Sequence, residues 1–220
     1  MIKCLIFDLD GTLLDTLTDI RDSINESLIS FSYEGKYELS HIRSFIGSGV
    51  NILLKRAMDG VNVKAEDREK ILAKYKELYK IKRLDNTIPY PNVLESLKIL
   101  KDKNIVLAVL SNKPDEDTKA CVKHYFGDIF DVVFGERKGY KIKPDPNGIF
   151  EIMNMFKVNK SETLFVGDML SDKVTADNAG VDFVSCLFGY CPEGIFDNEK
   201  YKLSCFKDIV TLIEELNYDC

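Results

Sequence analysis

The strongest constraint on this chain is a repeated alternation. Short apolar runs of strand length occur at Ile2–Phe7, Ile105–Leu110, Val132–Phe134, Thr163–Val166 and Phe183–Cys186. Segments of helical periodicity lie between them. Val93, Leu94, Leu97 and Leu100 share one helical face, as do Ile149, Ile152, Met153 and Phe156. Pro114 suits a first helical position; Asp115, Glu116 and Asp117 fill that turn, and Gly127 ends the helix. A helix over Asp172–Ala179 stops at Gly180, and a last one, capped by Ser204, carries Ile209, Leu212, Ile213 and Leu216. Continuous apolar strands alternating with helices predict an α/β fold: a Rossmann-like parallel sheet covered on both faces, in three layers.

One stretch breaks the alternation. From Thr16 to Asn86 the periodicity is helical throughout. Leu17, Ile20, Ile24, Leu28 and Phe31 recur at intervals of three and four; Val50, Leu53, Leu54 and Ala57 follow Gly49; Ile71, Leu72, Tyr75, Leu78 and Tyr79 stripe a long charged helix. This predicts an α/β core of residues 1–15 and 87–220 and an inserted helical cap of residues 16–86, with hinges at Leu14–Thr16 and Asp85–Pro91.

Composition narrows the chemistry. With 45% hydrophobic residues the chain has a core to bury, and no apolar run reaches the roughly 18 residues of a membrane span. The apolar start runs into Asp8 and Asp10 with no cleavage site, so a cytoplasmic location is expected. A formal charge of −6 without a basic block argues against nucleic acid as a partner. The cysteines Cys4, Cys121, Cys186, Cys191, Cys205 and Cys220 form no C-x-x-C pair and read as reduced thiols. The two histidines, His41 and His124, lie far apart and read as surface residues. Any catalysis rests on carboxylates, hydroxyls and lysines.

Those groups collect at strand ends. In Phe7-Asp8-Leu9-Asp10-Gly11-Thr12, side chains two apart in extended backbone face the same way, so Asp8 and Asp10 share a site. Two such acids repel and invite a cation or a shared proton; a plain polar strand end explains the motif equally well. Ser111-Asn112-Lys113 offers a hydroxyl and amides before a helix, or simply an N-cap. Lys143 before Pro144 offers a fixed positive charge, whereas Arg137, Lys138 and Lys141 read as solvated. Asp168 and Asp172 lie four apart at a helix start, as a metal ligand with a supporting acid or as partners of the helix dipole. All four segments follow predicted parallel strands, where open α/β sheets place their sites.

In this order, Asp8-Leu9-Asp10-Gly11-Thr12, Ser111-Asn112, Lys143-Pro144 and Gly167-Asp168 through Asp172 resemble the four motifs of the haloacid dehalogenase superfamily, in the phosphatase branch near phosphoglycolate phosphatases. The resemblance implies a small phosphorylated metabolite as substrate and Mg²⁺ as cofactor. It implies that Asp8 attacks phosphorus to form an aspartyl-phosphate and that Asp10 protonates the leaving group and then activates water. Ser111 and the Asn112 amide would hold phosphate oxygens, and Lys143 would neutralise charge. Mg²⁺ would be bound by Asp8, the Asp10 carbonyl and Asp168, with Asp172 nearby.

Phe45-Ile46-Gly47-Ser48-Gly49 resembles the family's cap loop, making Gly47, Ser48 and Gly49 candidate substrate contacts or a plain helix break. Pro91-Asn92-Val93 departs from the family, which usually has Gly after Pro, and puts hinge flexibility in question. The alternatives on this fold are a sugar phosphomutase of the β-phosphoglucomutase kind and an inorganic pyrophosphatase. Thr12 and Ile20 favour hydrolysis over the mutase, since mutase relatives tend to have other residues there. A dehalogenase lacks the second acid, and a purely binding descendant has no need of it. Monomer and dimer are both open.

Overall fold

The computed structural model describes residues 1–218. The described chain divides into two compact units, one of Met1–Leu14 with the segment from Pro89 onward, the other of Asp15–Ile88.

The first unit is built on a six-stranded sheet. Its strands are β1 (Cys4–Phe7), β4 (Val106–Pro114), β5 (Val132–Glu136), β6 (Thr163–Gly167), β7 (Asp182–Cys186) and β8 (Tyr201–Leu203), in the order β5-β4-β1-β6-β7-β8, every pair parallel. Between them run α5 (Val93–Asp102), α6 (Asp115–Phe126), α7 (Asn147–Phe156), a short 3₁₀ turn at Lys160–Glu162 and α8 (Leu170–Ala179), with α9 (Asp208–Tyr218) last. This is the expected Rossmann-like α/β architecture. Cys4, Ile6, Ala108 and Phe165 pack with Ile149 and Ile152 of α7 into one continuous core. β1 is central, and its Phe7 stands level with Val109 of β4 and Val166 of β6. The register therefore brings the carboxyl ends of three strands to one level, where Asp8, Ser111 and Asp168 emerge.

The second unit is helical: α1 (Leu17–Ile29), α2 (Leu39–Phe45), α3 (Val50–Gly60) and α4 (Ala65–Lys82). Ile20, Ile24 and Leu28 of α1 are buried together with Ile42, Leu54, Ala57 and Ile71, as the period requires. Asp19 is also buried. Its carboxylate accepts from the Asn86 and Thr87 amides (2.9 Å each) and from Thr87 Oγ1 (2.7 Å), so the end of this unit is tied to its first helix. The chain crossings Leu14–Asp15 (β2) and Ile88–Pro89 (β3) pair with each other.

Several boundaries differ from expectation. β4 does not end at Leu110 but continues through Ser111, Asn112 and Lys113, so Pro114 closes the strand and α6 begins at Asp115. α9 begins at Asp208 rather than beside Ser204, and Asp208 Oδ2 accepts from the Cys205 amide at 3.1 Å. The three-residue β8 carries too weak a pattern to be foreseen. Asn92 takes a left-handed φ of 65°, a conformation an asparagine tolerates, so the missing glycine leaves the backbone path intact. Arg137 is not solvated: its guanidinium lies 3.7 Å from the Phe134 ring centroid and 4.1 Å from that of Tyr140, and it grips Glu151 with two hydrogen bonds. Cys4, Cys121 and Cys186 are buried free thiols, Cys191 and Cys205 half-buried ones; Cys220 lies outside the described residues. No described helix is long and apolar enough to cross a membrane.

Candidate active site

Asp8 follows directly from β1, and its amide donates to the Val166 carbonyl of β6 at 2.9 Å. Asp168 follows β6, and Asp172 lies in the first turn of α8. Each of these three buried acids places a carboxylate oxygen within 4.8 Å of the other two. Lys143, itself buried, sets its ammonium 2.7 Å from Asp8 and 2.7 Å from Asp172. Burial alone would pull the lysine's pKa down, but Asp172 and Asp8 outweigh it and push it up, so Lys143 stays charged.

Close packing sets the acids in place. The Asp168 side chain packs against two bare glycines: a Cβ on Gly11 would fall 2.2 Å from its Oδ2, and one on Gly189 would fall 2.3 Å from its Cβ. Thr12 Oγ1 donates to Asp168 Oδ1 at 2.9 Å and the Tyr190 amide to Oδ2 at 2.7 Å. Asp172 is fixed by the Met169 amide, which donates to its Oδ2 at 2.9 Å. These supports from Thr12, Gly189 and Tyr190 were not foreseen from sequence; the last two lie in a loop with no motif of its own.

Charge in the cluster does not balance. Three carboxylates face one ammonium, leaving two negative charges in a buried space. Burial, reinforced by Asp172 and Asp10, pushes Asp8 up to about 7 against the pull of Lys143. Asp168 is pushed well above the carboxylate range by burial, then by Asp172 and Asp8. A divalent cation would supply the missing charge, and hard carboxylate oxygens are the donors such an ion takes. The residues present therefore fit such an ion.

Asp10 does not join this cluster through its carboxylate. Its Oδ1 accepts from Lys113 Nζ at 2.7 Å. Its expected part in the metal set is through its carbonyl. The Asn112 side chain makes a reciprocal pair with the Lys143 backbone: Nδ2 donates to the carbonyl at 2.9 Å, and Oδ1 accepts from the amide at 2.8 Å. Ser111 is buried beside it, its Oγ accepting from the Lys113 amide at 3.3 Å. Asp8, Asp10, Ser111, Asn112, Lys143, Asp168 and Asp172 thus all belong to the α/β unit. Gly47, Ser48 and Gly49 belong to the helical unit, joining α2 to α3 with positive φ at both glycines (103° and 81°).

The model of the haloacid dehalogenase-like hydrolase family matches residues 5–186, which include all four strand-end segments. The chain belongs to the haloacid dehalogenase-like hydrolases. Among relatives of this hydrolase, a phosphoglycolate phosphatase of Psychrobacter arcticus is 32% identical over 86% of this chain and 84% of its own. Another, of Haemophilus influenzae, is 32% identical over 92% of this chain and 97% of its own. A solved structure from Haemophilus somnus, described as a predicted phosphoglycolate phosphatase, superposes with a TM-score of 0.91 at 27% identity, covering 96% of this chain and 98% of that one.

Proposed function

We propose that this hydrolase is a phosphatase for a small phosphomonoester of the phosphoglycolate kind, working through an aspartyl-phosphate on Asp8. The observation that carries the reading is the buried Lys143 ammonium 2.7 Å from Asp8, with Asp10 beside them engaged elsewhere. A nucleophile that must approach an anionic ester needs its own charge compensated first. The names of the relatives supply the substrate class.

In this reading the family resemblance gives the steps. An Asp8 oxygen bonds to phosphorus as the bond from phosphorus to the leaving oxygen breaks. Asp10 gives its proton to that oxygen. Asp10 then takes a proton from water as the water attacks the aspartyl-phosphate, releasing phosphate and restoring Asp8. Ser111 Oγ and the Asn112 amide hold phosphate oxygens, and Lys143 offsets charge on Asp8 and the phosphate. Asp8, the Asp10 carbonyl and Asp168 would hold Mg²⁺, with Asp172 supporting. When bound, the ion supplies electrostatic stabilisation of the charge that gathers on the phosphoryl oxygens.

The test is a panel of phosphate esters, a sugar 1-phosphate and pyrophosphate, assayed with and without Mg²⁺ for wild type and Asp8→Asn. The expected result is release of phosphate from small esters only with Mg²⁺, and a loss of roughly 10³-fold or more in the variant, the scale seen when a nucleophile is removed. Equal activity of Asp8→Asn refutes the reading. A sugar 6-phosphate formed without free phosphate, or a preference for pyrophosphate, replaces it with the corresponding alternative.

A further inference from the structure

One buried charge near the site is not used by these steps. Lys113 is the last residue of β4 before Pro114, and its side chain is only 4% exposed. The ladder between β4 and β5 shifts register between Leu110 and Pro114, so this stretch is irregular and its side chains are placed by their contacts. Asn112 reaches the Lys143 backbone, and Lys113 reaches Asp10. The lysine backbone is pinned as well. Its amide donates to Ser111 Oγ, and its carbonyl accepts from Thr118 Oγ1 at 3.1 Å. Beneath it, a Cβ on Gly135 would stand 2.6 Å from that carbonyl oxygen. Burying an ammonium and freezing a long side chain is unfavourable unless the partner needs holding.

We infer that Lys113 is a positioning residue, gripping Asp10 by Oδ1 and so aiming Oδ2 at the oxygen of the leaving group. The inference rests on the reading of Asp10 as the proton donor. An aspartate has two side-chain torsions, and with Lys113 absent its carboxyl spreads over several rotamers. Only some of these place the donated proton in line with the breaking bond.

The consequence is selective. As the phosphorus–oxygen bond breaks, its electron pair passes to the leaving oxygen. An alkoxide needs Asp10's proton at that moment; a p-nitrophenolate is stable without it. Loss of Lys113 should therefore slow alkyl esters and spare aryl ones. A role in folding alone would slow both alike.

The experiment compares kcat/KM, which includes nothing later than leaving-group departure, for 2-phosphoglycolate and p-nitrophenyl phosphate with saturating Mg²⁺. The proteins are wild type, Lys113→Met, Lys113→Arg and Asp10→Asn, with circular dichroism to confirm folding. Lys113→Met is expected to lose on the order of 10²-fold on the alkyl ester, the cost of a misplaced reacting group. On the aryl ester it should lose less than about 3-fold, because the departing group is already a weak base. Lys113→Arg should recover part of the alkyl rate, and Asp10→Asn should show the same selectivity more strongly. If Asp10→Asn is selective while Lys113→Met lowers both esters equally, or neither, the positioning role is overturned. If Asp10→Asn itself lowers both equally, Asp10 is not the proton donor, and the present inference falls with that reading. Should Lys113→Met not fold, Lys113→Gln carries the same comparison.

Discussion

Gly189→Ala isolates the packing that holds Asp168. A methyl group there would lie 2.3 Å from Asp168 Cβ, 2.6 Å from its Cγ and 2.5 Å from the Gly11 carbonyl oxygen. Carbon atoms rest about 3.5–4.0 Å apart, so something must yield by roughly 1 Å. The Gly11 oxygen is backbone in the turn after β1, and the Asp168 carboxylate already packs against the bare Gly11. Asp168 is therefore the part that moves. Gly189 does not have a left-handed φ, so alanine brings no backbone penalty and the effect is contact alone. Overpacking of this kind costs about 1–3 kcal/mol, which for a chain of this size lowers the melting temperature by roughly 5 °C.

The larger effect falls on the proposed metal site. Disturbing a group that orients a metal ligand weakens metal binding by about 10- to 100-fold, and a reacting centre misplaced by roughly 1 Å loses about 10²-fold in rate. The assay is Mg²⁺ titration of phosphatase activity beside thermal melting. Gly127→Ala serves as control: it has a φ of 62° and no atom within 4 Å of the added methyl, so it should lower stability and leave the Mg²⁺ midpoint unchanged. A Gly189→Ala protein with a wild-type Mg²⁺ midpoint and activity within about 3-fold, well inside the 10-fold lower bound, would refute the claim that this loop sets Asp168.

Asn112→Ala removes both hydrogen bonds to the Lys143 backbone and strands a buried amide and carbonyl. A loss of about 3 kcal/mol in denaturant unfolding is expected, with reduced kcat as Lys143 loosens from Asp8. Asp19→Ala, within the helical unit, removes the carboxylate that accepts from the Asn86 and Thr87 amides and the Thr87 hydroxyl. Bonds to a charged acceptor are worth about 1.5–3 kcal/mol each, so a melting drop of roughly 10 °C follows; an unchanged melting curve would show that this carboxylate fixes nothing. Burial pushes Cys4 up to about 12 and Cys191 up to about 11. Both thiols therefore stay protonated at pH 8, and a disulfide reagent should modify them slowly in native protein and at once in guanidinium.

How much of this was legible in the sequence depends on the range of the interaction. The parallel sheet was, because continuous apolar runs and helical stripes are local signals. So was the convergence of Asp8, Asp168 and Lys143, because each ends a strand or precedes a proline. The end of β4 was not. Ser111-Asn112-Lys113 is polar, and a polar triplet after an apolar run ordinarily marks solvent. Here it remains buried strand because its partners, Asp10 and Lys143, arrive from positions 103 and 31 residues away. Arg137 misled in the same way: nothing adjacent announces that Phe134, Tyr140 and Glu151 enclose it.

The contacts that sequence reasoning missed share a physical character. Asp8, Asp10, Ser111, Lys143 and Asp168 carry the proposed chemistry and sit in short motifs; the Asn112 side chain, Thr12 Oγ1 and Lys113 lie in or beside those motifs, yet the geometry they hold, like that of Gly189 and Tyr190, is not written there. A lysine that aims an acid, an amide that fixes a lysine's backbone and a glycine that leaves room for a carboxylate have no composition of their own. Their function is defined only by what the fold brings against them. The ladder shifts register between Leu110 and Pro114, so no alternation rule places Lys113; the fold does, by bringing Asp10 within 2.7 Å of its ammonium. The assignment of Lys113 rests on that contact, and the alkyl-versus-aryl comparison tests its consequence directly.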